Sequence, residues 1–341
     1  MKQIRHRTGA VTEMEQTTAK KNKYEIDMCN GTIMDKLISF SLPLMLSGIL
    51  QLMFNAVDII VVGRFSGSQA LAAVGSTSAL INVFTNLFIG ISLGANVLTA
   101  RFYAAGREKE VSETVHTAIT LALVSGIVMA LVGLVFSKGA LALMGTPDDV
   151  IGLSALYMRI YFLGMPFFML YNYGAAILRA VGDTKRPLLF LMIAGVINAC
   201  LNMVLVIVFK LGVAGVAIAT VISQMISCVL VLRCLCRSES SYRLCFSELG
   251  MKGYYLKQIF SVGVPAGIQS TVINFSNVLL QSSVNSFGST AMAGYTAANN
   301  LLGFLYVSVN SITQACMSFT SQNYGVGKLK RMDRVLADCM I

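Results

Sequence analysis

The chain has 341 residues, of which 55% are hydrophobic and 12% are charged. Because a soluble domain carries about a quarter charged residues, this composition excludes a water-soluble globular protein and predicts an all-α polytopic membrane protein. The chain has 26 Lys and Arg against 16 Asp and Glu. The basic residues fall between the apolar stretches rather than on one helical face, which argues against nucleic acid as a partner and for the lipid bilayer.

After a polar tail at residues 1–33, apolar stretches of about 20 or more residues recur, each long enough to cross a bilayer as a helix. Short polar connections separate them, except for a longer connection at 233–258. The predicted spans are residues 37–62, 72–98, 115–137, 152–177, 188–209, 211–232, 259–285 and 291–317.

The basic residues are shared unequally between the two ends of these spans. If alternate connections face the same side, 22 of the 26 Lys and Arg lie on the side of the N-terminus. Arg64, Lys138, Arg159 and Lys210 belong to the other side. Since cytoplasmic connections carry the excess of Lys and Arg, the sequence predicts a multi-pass protein of the plasma (inner) membrane with a cytoplasmic N-terminus.

The sequence also contains an internal repeat. Residues 42–63 align with 264–285 at an offset of 222, and residues 100–107 align with 321–328 at an offset of 221. Six predicted spans separate the copies, so both copies enter the membrane from the same side. Parallel repeats of this kind are typical of transporters.

The repeat predicts how the chain is divided. The expected parts are a cytoplasmic tail (1–33), a complete six-helix lobe (34–232), a cytoplasmic linker (233–258) and an incomplete second lobe of two helices and the start of a third (259–341). At the same offset four more helices are expected beyond Ile341, so the sequence predicts a truncated twelve-helix protein. The segment before Cys29 lies outside the repeat, and we expect deletion of residues 2–27 to leave membrane insertion intact.

Asp58 is the carboxylate that falls well inside an apolar stretch, where such residues mark ion or substrate paths. Gln51, Asn55 and Asp58 follow i, i+4, i+7 spacing and form one polar stripe, which we expect to line a cavity. The alternative is that Asp58 lies near the helix end and pairs with Arg64. The repeat favours a functional role, because the equivalent position is Leu280.

Asn198 and Asn202 lie one helical turn apart in the fifth span. They could hydrogen-bond a neighbouring helix, and read alone they fit that role as well as ion coordination. Together with Asp58 they would offer amide and carboxylate oxygens, which suit Na⁺ or a relayed proton as the coupling ion. We expect no other metal and no cofactor.

Pro43 and Pro265 occupy equivalent positions in the first and seventh spans. Each is either a static kink or a hinge, and the sequence does not separate the two. The chain has no phosphate-binding loop, no Ser/His/Asp set and no second catalytic group to accompany Asp58. The chain is therefore predicted not to be an enzyme, and we expect a monomer that acts on a small molecule.

Several motifs resemble the multidrug and toxic compound extrusion (MATE) transporters. They are the opening helix at 30–75, ARFYAAGREKE at 100–110, AILRAVGDTKRP at 176–187, the segment 198–224 and SFTSQNYGVGKLKR at 318–331. The resemblance implies a twelve-helix antiporter of two six-helix lobes, which exchanges Na⁺ or H⁺ for amphipathic, often cationic drugs or metabolites.

The resemblance also implies that Asp58 and Asn198 match the family's cation site in the first lobe, and that Pro43 matches its helix-1 proline. The family often has an aspartate where this chain has Asn202, so a single carboxylate remains and the ion is left open. A lipid-linked saccharide flippase of the same superfamily is the alternative, although it would show more cationic residues in its cavity. The other alternative is a non-functional truncated remnant.

Overall fold

The computed structural model describes residues 24–285 and 289–340, which are almost entirely helical. The helices are α1 (Met34–Phe65), α2 (Ser68–Ala104), α3 (Glu108–Leu143), α4 (Asp148–Leu163), α5 (Met165–Ala180), α6 (Lys185–Met203), α7 (Gly212–Cys236), α8 (Gly253–Asn285), α9 (Ser289–Gly325) and α10 (Leu329–Met340). One turn of π-helix at Val204–Val208 extends α6, and a short 3₁₀ turn at Phe246–Glu248 precedes α8.

Within the described residues, five helices are long and apolar enough to cross a membrane, and α4 with α5 adds a sixth span if the pair is counted as one. The predicted spans at 259–285 and 291–317 also form helices, of 33 and 37 residues. These two are less apolar, because polar side chains such as Gln269 and Gln314 recur along them. The chain is a multi-pass helical membrane protein, as its composition predicts.

The predicted span at 152–177 is not one continuous helix. The structure divides it into α4 and α5, which meet at Gly164 with a bend of 48°. Pro166 follows the break, and a proline ring excludes the carbonyl of the preceding turn from regular helical hydrogen bonding. A Cβ on Gly126 of α3 would lie 3.0 Å from the Pro166 nitrogen, so α3 approaches closely at the bend.

The two copies of the repeat end in the same way. Helices α2 and α9 each have 37 residues, and each is followed by a glycine with positive φ, Gly106 at 68° and Gly327 at 73°. The Gly106 N–H donates to Tyr103 O and the Gly327 N–H donates to Tyr324 O, both at 3.1 Å. A glycine in this conformation closes a helix without strain, so the repeat extends to local backbone geometry.

Helices α1 to α7 form one bundle, and α8 and α9 pack on it through α2 and α1. The contact between α2 and α8 is made by backbone, because glycines face each other: Gly90 and Gly94 on α2, Gly263 and Gly267 on α8. A Cβ on Gly267 would lie 2.6 Å from Leu87 O. Small residues spaced four apart let membrane helices approach in this manner.

Pro43 and Pro265 lie inside α1 and α8, and both helices continue through them. Pro43 is buried and Pro265 is exposed. The break in the described helices falls at Gly164 instead, so a hinge role for the two prolines stays a prediction.

The predicted tail is packed where the structure describes it. Met28 has no exposed surface and belongs to an apolar cluster with Phe40 of α1 and Phe319 of α9. Met28 lies outside residues 2–27, so the expectation that these residues are dispensable for membrane insertion stays a prediction.

Candidate functional site

The structure brings Asp58, Asn198 and Asn202 together, although Asp58 lies on α1 and the two asparagines on α6. Asn202 Nδ2 donates to Asp58 Oδ1 in a short hydrogen bond. The same Nδ2 donates to Asn198 Oδ1 at 3.2 Å. Asn198 Nδ2 in turn donates to Thr220 Oγ1 of α7 at 3.5 Å, so one polar network joins three helices.

The three side chains of this network differ in their exposure to solvent. Asn198 is 5% exposed and Asn202 has no exposed surface, while Asp58 is half-buried. Asn202 Oδ1 accepts no hydrogen bond from any described residue. A buried oxygen without a donor is costly, so this oxygen is left to accept a hydrogen bond or a cation.

The alternative reading of Asp58, an ion pair with Arg64, is not what the structure shows. Within the described residues the Asp58 carboxylate bonds to Asn202, and Arg64 is exposed at the last turn of α1. Close packing places the carboxylate: the ring of Phe54, one turn before Asp58, covers Gly195 of α6 so tightly that a Cβ there would overlap it.

The network opens into a polar cavity of about 350 Å³ within the α1–α7 bundle. Gln51, Asn55, Asp58 and Asn198 line this cavity, and the first three form the polar stripe on α1. Asn202 does not line it and lies behind Asp58, to which it donates. Pro43 and Pro265 are not among the lining residues.

Sequence reasoning missed the other polar walls of the cavity. They comprise Asn82, Thr85 and Asn86 of α2, Tyr157 and Tyr161 of α4, Tyr171 and Asn172 of α5, and Thr220, Ser223, Gln224 and Ser227 of α7. The sequence signal was present, because the residues of α2, α4 and α7 follow the same i, i+3, i+4 spacing that identified the stripe on α1.

The charge of the cavity is set by one side chain. Among the described residues that line it, Asp58 is the carboxylate and none is Lys or Arg. Tyr157 and Tyr161 of α4 also line the cavity, and they stack with their ring centroids 6.1 Å apart. Aromatic faces and a carboxylate both attract cations, so the cavity suits a cation with an apolar body.

A bundle of apolar helices that encloses a polar cavity with a carboxylate is typical of membrane transporters. The MatE family model matches residues 43–204 and 265–341, which together make up more than half of the chain. The chain belongs to this family of multidrug efflux transporters, and the resemblance seen in its motifs is confirmed.

Individual relatives agree with this assignment. The chain is 35% identical over 306 residues to the "Probable multidrug resistance protein YoeA" of Bacillus subtilis, with 87% of this chain and 66% of the relative covered. It is 24% identical over 305 residues to an "FAD transporter" of Shewanella oneidensis, with 88% of this chain and 67% of the relative covered. The chain thus spans about two thirds of the length of these relatives.

Solved structures share the fold. A structure described as the outward-facing conformation of a multidrug resistance MATE family transporter of the MOP superfamily matches with a TM-score of 0.87 at 22% identity. The match covers 94% of this chain and 71% of the other. The helical membrane fold predicted from composition is therefore confirmed.

Proposed function

We propose that this chain carries the cation-coupling half of a secondary antiporter, which exports amphipathic cationic drugs or metabolites in exchange for Na⁺ or H⁺. The observation that carries the proposal is the hydrogen-bond network beside the cavity, in which Asn202 donates to both Asp58 and Asn198. In this role Asp58 binds the coupling ion, Asn198 and Asn202 assist it, and Gln51 and Asn55 line the substrate path.

The exchange follows from competition for one negative charge. With a proton or Na⁺ at Asp58 the cavity is neutral, and a cationic substrate loses its main attraction. With the ion released the carboxylate again attracts the substrate. Because one H⁺ or Na⁺ enters for each monovalent cation that leaves, no net charge crosses the membrane, and the concentration gradient of the coupling ion drives this cycle toward export.

The cavity lining favours a cation over an anionic substrate. One relative is named for FAD, a molecule that carries phosphate groups, and phosphates are bound by Arg and Lys. The described lining offers neither residue and places Asp58 there instead. The same absence of basic lining residues argues against a lipid-linked saccharide flippase.

The setting of this site is part of the proposal. The 22 basic residues that share one side favour a plasma-membrane protein with a cytoplasmic N-terminus. We assign residues 34–232 to a first lobe and 259–341 to the beginning of a second, joined by the linker 233–258. The chain is proposed to act as a monomer.

Equilibrium binding of tetraphenylphosphonium to the purified chain tests this function. At constant ionic strength, replacing choline with Na⁺, or lowering the pH, should displace the probe, and the effective condition identifies the coupling ion. Asp58→Asn preserves shape and polarity but removes the charge, so it should weaken probe binding and abolish the displacement.

The matched control is Leu280→Asn, which adds the same amide at the repeat-equivalent, exposed position. It should keep both binding and displacement. If Asp58→Asn binds the probe as well as the parent chain and still responds to Na⁺ and pH, the coupling site lies elsewhere.

A further inference from the structure

Residues 24–31, which precede α1 and are called the strap below, lie across one end of the molecule. Within the described part of the chain, the strap contacts the last turn of α2 and the connections that follow α5, α7 and α9. According to the charge distribution, these connections are all on the cytoplasmic side. The strap therefore lies where the two proposed lobes meet on that side.

The first half of the strap binds the first lobe. Glu25 accepts a hydrogen bond on each carboxylate oxygen, from Tyr103 OH and from Tyr242 OH, both at 2.8 Å. The Ile26 N–H donates to Gly182 O at 3.2 Å. Gly182 has φ of 98°, and a Cβ on it would lie 2.6 Å from Ile26 O, so this connection is shaped to receive the strap.

The second half of the strap binds the second lobe. Asn323 Nδ2 donates to Met28 O at 3.1 Å. Lys328 Nζ donates to Cys29 O and to Asn30 Oδ1, both at 2.8 Å, and the Arg331 guanidinium donates to Asn30 O at 3.1 Å. Hydrogen bonds with a charged partner are stronger than neutral ones, and both halves of the strap have them.

The two sets of contacts are only a few residues apart along the chain. A segment of n residues spans at most about 3.3–3.6 Å per residue when fully extended, so the two residues between Ile26 and Cys29 provide little slack. The strap also continues directly into α1 of the first lobe, which begins at Met34. Any separation of the lobes on this face therefore has to break the Lys328 and Arg331 set.

We propose that the strap is a tie that fastens the two lobes together on the cytoplasmic face, and that it has to detach from the second lobe before that face opens. The proposal relies on the assigned sidedness and on the antiport of the proposed function, which requires the cavity to open to each side of the membrane in turn. It is independent of which ion or substrate is carried.

The detaching variant is Lys328→Met combined with Arg331→Met, which removes the charged donors to Cys29 and Asn30. Tyr324→Phe is the matched control on the same lobe. Its ring packs on the Arg101 guanidinium, 4.8 Å from ring centroid to Cζ. Asn30→Ala is the second detaching variant and acts from the strap side, because it removes the side-chain acceptor of Lys328.

The accessibility of the Cys29 thiol shows whether the strap is detached. It is measured in a chain whose other seven cysteines are replaced by alanine. The rate of maleimide modification should rise about tenfold in either detaching variant, which corresponds to about 1.4 kcal/mol. Tyr324→Phe should keep the parent rate. Thermal melting of every variant checks that each one is folded.

The distance between the lobes provides the second measurement. Spin labels at the exposed positions 109 and 330, introduced as Lys109→Cys and Lys330→Cys in the cysteine-free chain, should show a larger fraction of long distances in the detaching variants. Unchanged Cys29 rates and unchanged distances in folded detaching variants would overturn the tie. Neither measurement uses tetraphenylphosphonium, so a failure here is distinguishable from a failure of the Asp58 assignment.

Discussion

The side-chain amide of Asn202 donates to the carboxylate of Asp58 across the α1–α6 contact, although 144 residues separate them in the chain. Asn202 has no exposed surface, and its oxygen accepts no hydrogen bond within the described residues. The Asn202 amide therefore stabilises the negative charge of Asp58 through its nitrogen. Its oxygen is left to accept another hydrogen bond or a cation.

Substitution of Asn202 by aspartate should strengthen cation binding. A second carboxylate beside Asp58 adds attraction in a medium of low dielectric constant, and we expect an affinity gain on the order of tenfold, or about 1.4 kcal/mol. Isothermal titration of Na⁺ into the purified chain, repeated at several pH values, measures the gain.

Asn202→Leu is the control, and it should lower both affinity and melting temperature because Asp58 loses its donor. Equal affinities in all three chains would contradict the role assigned to Asn202.

Alanine at Gly90 should destabilise the chain by about 1–3 kcal/mol, the usual cost of forcing extra volume into a packed contact. The added Cβ would meet the backbone of Gly267, which cannot yield as a side chain could. Gly139→Ala is the matched control, because a Cβ there meets nothing within 4 Å. In the interior of α3 it should stabilise by about 0.5–1 kcal/mol.

Thermal melts followed with a thiol-reactive dye compare the two alanine variants, since the chain has no tryptophan and eight cysteines. Opposite shifts in melting temperature are expected. Equal shifts would mean that α2 and α8 do not approach as closely as the structure shows.

The sidedness of the membrane topology can be tested at two exposed lysines. Lys185 lies at the start of α6 and Lys210 between α6 and α7, so their side chains should face opposite sides. In intact cells, Lys185→Cys should react only with membrane-permeant maleimides, whereas Lys210→Cys should also react with impermeant ones. The reverse pattern would place the N-terminus outside.

Tyr242, in the connection between α7 and α8, should ionise only under strongly alkaline conditions. Burial raises the pKa of its phenol above the usual value of 10.0, and the adjacent Glu25 carboxylate raises it further. The folded chain thus keeps a proton that the unfolded chain would release at about pH 10. The stability from this group is complete below that pH and is lost as the pH rises through the folded-state pKa.

Absorbance at 295 nm, read as the difference between the parent chain and Tyr242→Phe, isolates this titration in a chain with no tryptophan. A midpoint above 10 is expected. Glu25→Ala should lower that midpoint, and an unshifted midpoint in the parent chain would contradict the contact with Glu25.

The polar residues of α1 and α6 were predictable from the sequence, because a polar side chain inside an apolar stretch is costly unless it faces a shared interior. That argument identified Gln51, Asn55, Asp58 and both asparagines of α6. It applies equally to Thr220 and Gln224, which were missed because their hydroxyl and amide groups are common in membrane helices.

The remaining features depend on contacts that no local pattern encodes. The hydrogen bonds of Glu25 join it to tyrosines 78 and 217 residues away, and neither spacing nor charge indicates such a partner. The break at Gly164 had a weak signal, Gly-Met-Pro, within a stretch whose apolar length suggested one continuous helix.

Because of the bend between α4 and α5, one membrane span contributes to two separate walls of the cavity. Tyr157 and Tyr161 precede the bend, Tyr171 and Asn172 follow it, and all four side chains reach the same space. A few degrees of flexing at Gly164 would therefore widen or narrow the compartment while its other walls stay still. Substrates of different width could then be accommodated by movement at this one bend, without rearrangement of the whole bundle.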